Sequence, residues 1–251
     1  MATNKPDDLN KPKRIIVKRN GPYVVEGEIP LVHKTQIVSE YGEPLSWRYE
    51  GIVPTSAGKY RLCRCGQSSQ FPFCDDTHEV VGFDGTESAD SGASAERALP
   101  FPRGTHILVK KDSTLCMDSG YCGLRDVGIA QLVTATNDTK IRSLVIAMVE
   151  RCPSGALTYR IDQDGQDIEP DLPQQIAVTI EITSDGPIAG PLWVTGGIPI
   201  ERSDGQPFET RNRVTLCNCG HSSCMPLCDG THRLLAEREA RRRRAFRREG
   251  S

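Results

Sequence analysis

The sequence has few aromatic residues and no long apolar segment. Phe, Trp and Tyr make up 6% of its 251 residues, and hydrophobic types together make up 37%, which is low for one large core. No apolar run approaches the roughly 20 residues that a membrane helix needs. Residues 1–14 are polar, so we expect neither a secretory signal peptide nor a membrane span. Small modules held together by bound metal fit this composition.

Sequence signatures of enzymes are also missing. The chain has no nucleophile–base motif, no Gly-rich phosphate loop and no nucleotide-binding fingerprint. Of its five histidines, His33, His106 and His221 stand alone, and we interpret them as structural or surface residues. We therefore expect a protein that is not an enzyme.

Cysteine, by contrast, is abundant and regularly placed. The chain has ten cysteines, and without a signal peptide we expect a reducing cytoplasm in which thiolates bind metal. Six of them, with the two remaining histidines, form two copies of one pattern, C-x-C-x2-S-x3-P-x-C-D-x-T-H. The copies contain Cys63, Cys65, Cys74 and His78, and then Cys217, Cys219, Cys228 and His232.

The spacing within each copy favours a site with two metal atoms. A tight, extended Cys-x-Cys segment can place two thiolates on one atom. We predict that a helix begins near Pro226, which would put Cys228 and His232 one turn apart on the same face. The positive end of that helix would favour the Cys228 thiolate. Structural zinc is the alternative, although zinc loops usually separate their cysteines by two to four residues.

This pattern resembles the CDGSH (mitoNEET-like) iron-sulfur family in its tandem, two-motif bacterial type. The second copy fits the family signature throughout, whereas the first has Asp76 where the family has Gly. Asp is one of the few residues that tolerate positive φ. The resemblance implies a [2Fe-2S] cluster per motif, with the Cys-x-Cys pair on one iron and the Cys–His pair on the other. It also implies that Ser68 and Ser222 each donate a hydrogen bond to a cluster.

A longer repeat surrounds the two motifs. Residues 21–31 align with residues 190–200, an offset of 169, whereas the motifs are offset by 154 residues. The first copy therefore has about 15 additional residues, which we place in a loop around Ser39 to Pro54. Family members share a β-cap between two chains, so the resemblance implies an intramolecular pseudo-dimer and a monomeric protein. Two independent copies are the alternative. The mitochondrial members have a Lys where this chain has Tyr23 and Leu192.

A different pattern lies between the copies. We predict a strand at His106–Lys110, a helix that follows Asn137 or Asp138 and ends at Arg151, and a strand at Thr158–Ile161. The run C-x2-S-x2-C, followed by Cys-Pro, resembles the divergent mono-cluster 4Fe-4S ferredoxin family. The implied ligands are Cys116, Cys122 and Cys152. Three cysteines imply a [3Fe-4S] cluster, or a [4Fe-4S] cluster with Ser119, Asp118 or water as fourth ligand. Three ordinary buried cysteines are the alternative.

The predicted fold class is α+β, with two CDGSH modules and an inserted small ferredoxin-like module. The predicted divisions are a disordered tail at 1–13, a first CDGSH module at 14–83, a linker at 84–102, a ferredoxin-like module at 103–163, a linker at 164–175, a second CDGSH module at 176–235 and a basic helix or tail at 236–251. Residues 233–251 have eight Arg and three Glu. Because they offer no aromatic stacking platform, we expect a solvated helix and no nucleic-acid binding.

The expected function is electron transfer through closely spaced clusters to a redox partner protein. The alternative is a protein that transfers [2Fe-2S] clusters or senses redox state or pH. Replacing one thiolate by a neutral imidazole should raise the midpoint potential above the roughly −400 mV of plant-type ferredoxins. It should also make the clusters acid-labile, because protons compete with iron for the imidazole nitrogen.

Overall fold

A computed structural model describes residues 12–102, 104, 106–161 and 165–249, with side chains of the last helix described to residue 242. Most of the predicted disordered tail and part of the basic tail therefore lie outside the described residues. The strands are β1 Arg14–Val17, β2 Tyr23–Glu26, β3 Leu31–Val38, β4 Pro44–Ile52, β5 Lys59–Leu62, β6 Leu99–Pro100, β7 Leu108–Lys111, β8 Leu157–Arg160, β9 Gln175–Thr183, β10 Gly186–Thr195, β11 Ile200–Glu201 and β12 Arg213–Leu216. The helices are α1 Thr77–Val80, α2 Ser94–Arg97, α3 Ile129–Val133, α4 Thr139–Arg151 and α5 Thr231–Glu249.

The strands form three sheets in an α+β fold, as predicted. The first sheet has the order β11-β1-β2-β5, the second β12-β10-β9-β3-β4, and the third β6-β7-β8. Within the described residues, no helix combines the length and the hydrophobicity needed to cross a bilayer. Strands β2 and β12 are buried along their whole length, as is expected for strands covered on both faces.

The two halves of the repeat exchange strands reciprocally. The antiparallel ladder β1-β2-β5 is repeated by β9-β10-β12, so that Tyr23 pairs with Leu62 as Leu192 pairs with Leu216. Strand β3 of the first half crosses over and pairs in parallel with β9, the first strand of the second half. Strand β11 of the second half likewise pairs in parallel with β1, the first strand of the first half. In these crossings Leu31 pairs with Ile176, and Ile200 pairs with Ile15. This exchange confirms the intramolecular pseudo-dimer.

Each half is extended at a different hairpin. The additional residues of the first half form the hairpin of β3 and β4 rather than the predicted loop. Their β-branched and aromatic residues, such as Ile37 and Trp47, favour strands. In the second half the first hairpin is longer. Its paired residues Val178 and Leu192 are fourteen positions apart, whereas the equivalent pair of the first half, Val17 and Tyr23, is six positions apart. The two extensions lie side by side in the second sheet.

In the inserted module, α4 packs against strand β8 of the third sheet, and α3 packs against α4. Helix α4 begins after Asp138, whose carboxylate accepts hydrogen bonds from the backbone N–H of Lys140 at 2.7 Å and Ile141 at 3.3 Å. It ends at Arg151, immediately before Cys152. Its buried side chains are those of Val145, Met148 and Val149. The predicted helix, its cap and its end are therefore confirmed.

Candidate metal centres

The first motif loop, residues 63–78, places four predicted ligands in two pairs. The Sγ atoms of Cys63 and Cys65 are 3.8 Å apart, and Cys74 Sγ lies 3.4 Å from Nδ1 of His78. The backbone N–H of Cys63 donates to Pro72 O at 2.8 Å, which closes the loop onto the end of β5. The loop thus brings the Cys63–Cys65 pair and the Cys74–His78 pair to the same end of β5.

The second motif loop, residues 217–232, repeats this geometry. The Sγ atoms of Cys217 and Cys219 are 3.6 Å apart, and Cys228 Sγ lies 3.4 Å from Nδ1 of His232. The N–H of Cys217 donates to Pro226 O at 2.8 Å. Both predicted ligand sets are therefore brought together in the same way.

The predicted helix start near Pro226 is wrong. Helix α5 begins at Thr231, after Cys228 rather than before it. Two local features delay the helix: the N–H of Cys228 donates to Thr215 O at 2.9 Å, and Gly230 has φ +86°. The paired geometry of Cys228 and His232 therefore comes from a turn followed by a helix, and not from one helix face.

An aspartate after the third cysteine ties each motif loop to its helix. Asp229 Oδ1 accepts a hydrogen bond from Thr231 N at 3.0 Å, and Oδ2 accepts from Ser223 N at 2.7 Å. Asp75 makes the matching contacts in the first loop. Burial acts to raise the pKa of Asp229, but these hydrogen bonds outweigh it and lower that pKa to about 2. This role was not predicted from the sequence, although both copies share the Asp and the Thr two positions later.

Asp76 is the one departure from the family signature, and it adopts the expected backbone conformation. Its φ is +66°, in the left-handed region that Gly230 occupies in the second copy. Its carboxylate forms a two-point ion pair with Arg61, at 2.6 and 2.9 Å, and the Arg61 hydrogen bond lowers the pKa of Asp76. Donor atoms of Cys74, Asp76 and His78 lie within 4.8 Å of one another.

The donors fit two metal atoms better than one. In each motif, no three of the four predicted donor atoms lie within 4.8 Å of one another, all of these residues being among those described. A single tetrahedral zinc atom would hold all of its sulfur ligands about 3.8 Å apart, whereas in these motifs the third cysteine is not that close to both members of the Cys-x-Cys pair. Burial raises the pKa of the Cys65, Cys74 and Cys228 thiols. Buried thiolates therefore need a bound cation, and the donor chemistry fits a [2Fe-2S] cluster.

The two predicted cluster serines make the same contact in both loops. Ser68 Oγ donates to Phe73 O, and Ser222 Oγ donates to Leu227 O, each at 2.6 Å. Each hydroxyl thus stabilises its own loop beside the third cysteine. A hydrogen bond from either serine to a cluster stays a prediction.

The two motif loops contact each other directly. A methyl group at Gly66 would lie 2.6 Å from Cys219 O, and one at Gly220 would meet Cys65 O even more closely. Tyr23 adds a link from the first half: its hydroxyl donates to Cys217 O at 2.7 Å and reaches Pro226 O at 3.0 Å.

The surroundings of the two ligand histidines differ. Nε2 of His232 donates to Glu181 Oε2 at 2.9 Å, and Arg233 Nε donates to the same oxygen at 2.7 Å. Burial acts to raise the pKa of Glu181, but His232 and Arg233 together hold it below its usual value. Nε2 of His78 lies 4.0 Å from Glu79 Oε1, beyond hydrogen-bond distance. Glu181 was not predicted as a site residue from the sequence, in which its one signal is a charged residue within an apolar strand.

The three cysteines of the inserted module come together at the ends of three elements. Cys116 follows a 3-10 turn at Ser113–Leu115, the carbonyl of Cys122 accepts a hydrogen bond at 2.9 Å from the N–H of Ile129 at the start of α3, and Cys152 directly follows α4. Burial raises the pKa of the Cys122 thiol, and the neighbouring Cys152 and Cys116 raise it further. All three pack against one hydrophobic cluster. The structure thus places them within electrostatic reach of one another.

The inserted loop, residues 116–122, contacts the second motif loop. A methyl group at Gly230 would lie 2.7 Å from Met117 O. On the other side, the Tyr121 hydroxyl donates to Ser46 O at 3.0 Å, and the Tyr121 and Trp47 rings are 6.0 Å apart. The extension of the first half therefore helps to hold the inserted loop against the second motif loop.

Comparison with protein families gives two matches. A family model described as iron-binding zinc finger, CDGSH type, matches residues 20–79 and 189–233. A model described as divergent 4Fe-4S mono-cluster matches residues 103–162, between them. No curated protein and no solved structure matched the chain.

Proposed function

We propose that this chain, an iron-sulfur protein with two CDGSH-type regions around a divergent 4Fe-4S mono-cluster domain, acts as an electron carrier. We propose two [2Fe-2S] clusters, one in each motif loop, and a [3Fe-4S] or [4Fe-4S] cluster at Cys116, Cys122 and Cys152. One observation carries this proposal: the three loops that hold the ligands contact one another in series.

The order of the series follows from backbone contacts. Gly66 and Gly220 join the first motif loop to the second, and Gly230 joins the second motif loop to the inserted loop. The second motif loop is therefore the middle member. Iron-sulfur clusters exchange single electrons when bound, and neighbouring centres in this order would form one continuous path.

The chain's own residues support such a path by holding the ligands rigidly and away from water. Cys63, Cys217, Cys228 and both ligand histidines are buried. Tyr23 fixes the second motif loop from the opposite half. Rigid, preformed surroundings reduce the rearrangement that accompanies a change of charge, and this favours electron transfer over chemistry on a bound substrate.

We further propose that the protein works as a monomer with an internal pseudo-dimer and exchanges electrons with a separate redox protein. The reciprocal strand exchange supports the first part, because it satisfies within one chain the contacts that two chains would otherwise share. Ten free cysteines support a reducing compartment, such as the cytoplasm. We propose no membrane or nucleic-acid partner.

Purification without oxygen, followed by iron, sulfide and zinc analysis and by visible and EPR spectra, tests the proposal. We expect about seven to eight irons per chain, from two [2Fe-2S] clusters and one cluster of three or four irons. Repeated reduction and oxidation should leave this content unchanged. A content of four irons per chain would contradict the third cluster. A colourless protein that contains zinc would contradict electron transfer.

A second candidate function is delivery of a [2Fe-2S] cluster, and the surroundings of His78 favour it. His78 is a neutral ligand that protons can displace, and its Nε2 lies 4.0 Å from Glu79 Oε1, which is beyond hydrogen-bond distance. Incubation with an apo-ferredoxin at neutral pH distinguishes the functions. Cluster transfer from the first motif would support delivery, whereas retention over many redox cycles would support electron transfer.

A further inference from the structure

We propose that Glu181 is a positioning residue for His232, and that it makes the second motif loop hold its cluster more tightly than the first. This inference rests on the proposed [2Fe-2S] clusters of the two motif loops. It adds a functional difference between two sites whose ligands are identical.

The contact between Glu181 and His232 fixes the imidazole in one orientation. The Glu181 side chain is fully buried, at 0% exposure, and that of His232 is 4% exposed. A carboxylate oxygen can only accept, so Nε2 of His232 carries the hydrogen of this bond, and Nδ1 is the ring nitrogen that remains to bind a metal. Nδ1 is the nitrogen that faces Cys228 Sγ, at 3.4 Å. The ring is thus held in the tautomer that a metal ligand needs.

Arg233 completes the arrangement. Its Nε donates to the same Glu181 oxygen, and its Nη2 lies 3.5 Å from Ser119 O in the inserted loop. Arg233 balances the buried carboxylate and prevents an uncompensated charge. It also links the support of His232 to the neighbouring centre.

Space for Glu181 comes from a glycine on the adjacent strand. A methyl group at Gly190 would lie 2.9 Å from Glu181 Cγ. The extended hairpin of β9 and β10 supplies both residues. Strand β1 of the first half ends at Val17, whose partner Tyr23 follows after a short turn. The first half therefore has no strand position equivalent to Glu181.

His78 is held differently. The carboxylate near its Nε2 is that of Glu79, which is 4.0 Å away and 75% exposed. An exposed side chain at this distance neither fixes the ring nor shares its proton. The two motif loops thus offer a direct comparison between a supported and an unsupported ligand histidine.

The experiment compares Glu181→Gln with Glu79→Gln in the full-length, cluster-loaded protein. Iron release to a chelator at neutral pH is followed by visible absorbance, and in the natural protein we expect two phases from the two [2Fe-2S] clusters, besides the loss of the cluster in the inserted module. Loss of an outer partner of a metal ligand costs about 10–100-fold in metal affinity. We therefore expect Glu181→Gln to accelerate the slow phase by about tenfold or more. Glu79→Gln should change neither phase.

His232→Cys provides a second measurement that does not depend on the stability of the single variant. If Glu181 acts through the imidazole, Glu181→Gln should have no further effect on iron release once His232 is Cys. Equal acceleration of both phases, or the same effect in the His232→Cys background, would overturn the inference. A protein without a [2Fe-2S] spectrum would instead contradict the proposed function, so the two failures are distinguishable.

Discussion

The two CDGSH-type regions share a strand ladder, a loop and a ligand set, but they differ in their neighbours. The first motif loop contacts the second across the pseudo-two-fold, through Gly66 and Gly220. The second motif loop also contacts the inserted loop, through Gly230. Its histidine is supported by a buried carboxylate, whereas that of the first is not.

This difference has a structural origin in the two hairpin extensions. The β3–β4 hairpin of the first half reaches the inserted loop, and the β9–β10 hairpin of the second half supplies Glu181. Both lie in the second sheet. A duplicated module can therefore keep its ligands unchanged and still produce two unequal sites, because the unequal parts lie in the strands that precede the motifs.

The largest expected effect is loss of a whole cluster. Cys65→Ser and Cys219→Ser should each remove about two irons, since each takes one ligand from a [2Fe-2S] cluster. Iron and sulfide analysis measures the loss. Retention of the other motif's cluster in both variants would show that the sites load independently. Loss of all CDGSH-type iron in either variant would contradict this and would show that the two loops fold as one unit.

Substitution where the two loops meet should cause the next largest effect. Gly66→Ala places a methyl group against the backbone of Cys219 at a residue with φ +73°. Left-handed strain of about 1–2 kcal/mol and overpacking of about 1–3 kcal/mol should both lower the free energy of unfolding. Denaturant titration measures it.

Gly82→Ala is the matched control for that substitution. Gly82 has φ +63° and nothing within 4 Å of its added methyl group, so the variant should show only the strain of about 1–2 kcal/mol. Equal destabilisation by both substitutions would mean that the contact between the loops contributes nothing.

Removal of the Tyr23 hydroxyl should have a smaller effect. Tyr23→Phe leaves the buried Cys217 carbonyl group without its Tyr23 donor, which should cost about 1–3 kcal/mol, whereas Pro226 O keeps the hydrogen bond from the Cys217 N–H. It should also hasten cluster loss from the second motif loop only. Tyr60→Phe is the control, because Tyr60 donates to Ile29 O within the first half. If both variants hasten cluster loss equally, Tyr23 has no specific role at the second loop.

The smallest expected effect is that of Asp76→Gly. Asp76 already adopts the left-handed conformation of the family glycine, and its ion pair with Arg61 is exposed to solvent. Iron content and the rate of cluster loss should therefore remain unchanged. A marked change in either would indicate that the Asp76 carboxylate takes part in the first site.

Local patterns predicted much of the molecule. The ligand pairs and helix α4 with its Asp138 cap followed from spacing and helix signals, and the pseudo-dimer followed from the internal repeat together with the family resemblance. These features depend on neighbouring residues or on similarity between the two copies. The start of α5 did not follow, because Gly230 interrupts a helix signal that Pro226 and Asp229 would otherwise give.

Features that depend on contacts between distant segments could not be predicted from the sequence. Glu181 precedes His232 by 51 residues, and only the folded sheet shows that the two side chains meet. The additional residues of the first half were expected in a loop, whereas their pairing with β3 makes them strand β4. Periodicity alone did not show that this hairpin would support the inserted loop.

The most direct test of the serial arrangement is EPR spectroscopy of the fully reduced protein and its Cys219→Ser variant. With the second motif loop in the middle, we predict signals split by magnetic interaction between neighbouring clusters. Cys219→Ser should leave the signals of the first motif loop and the inserted loop unsplit, because the centre between them is gone. Splitting that persists between those two centres, or its absence from the natural protein, would contradict the arrangement.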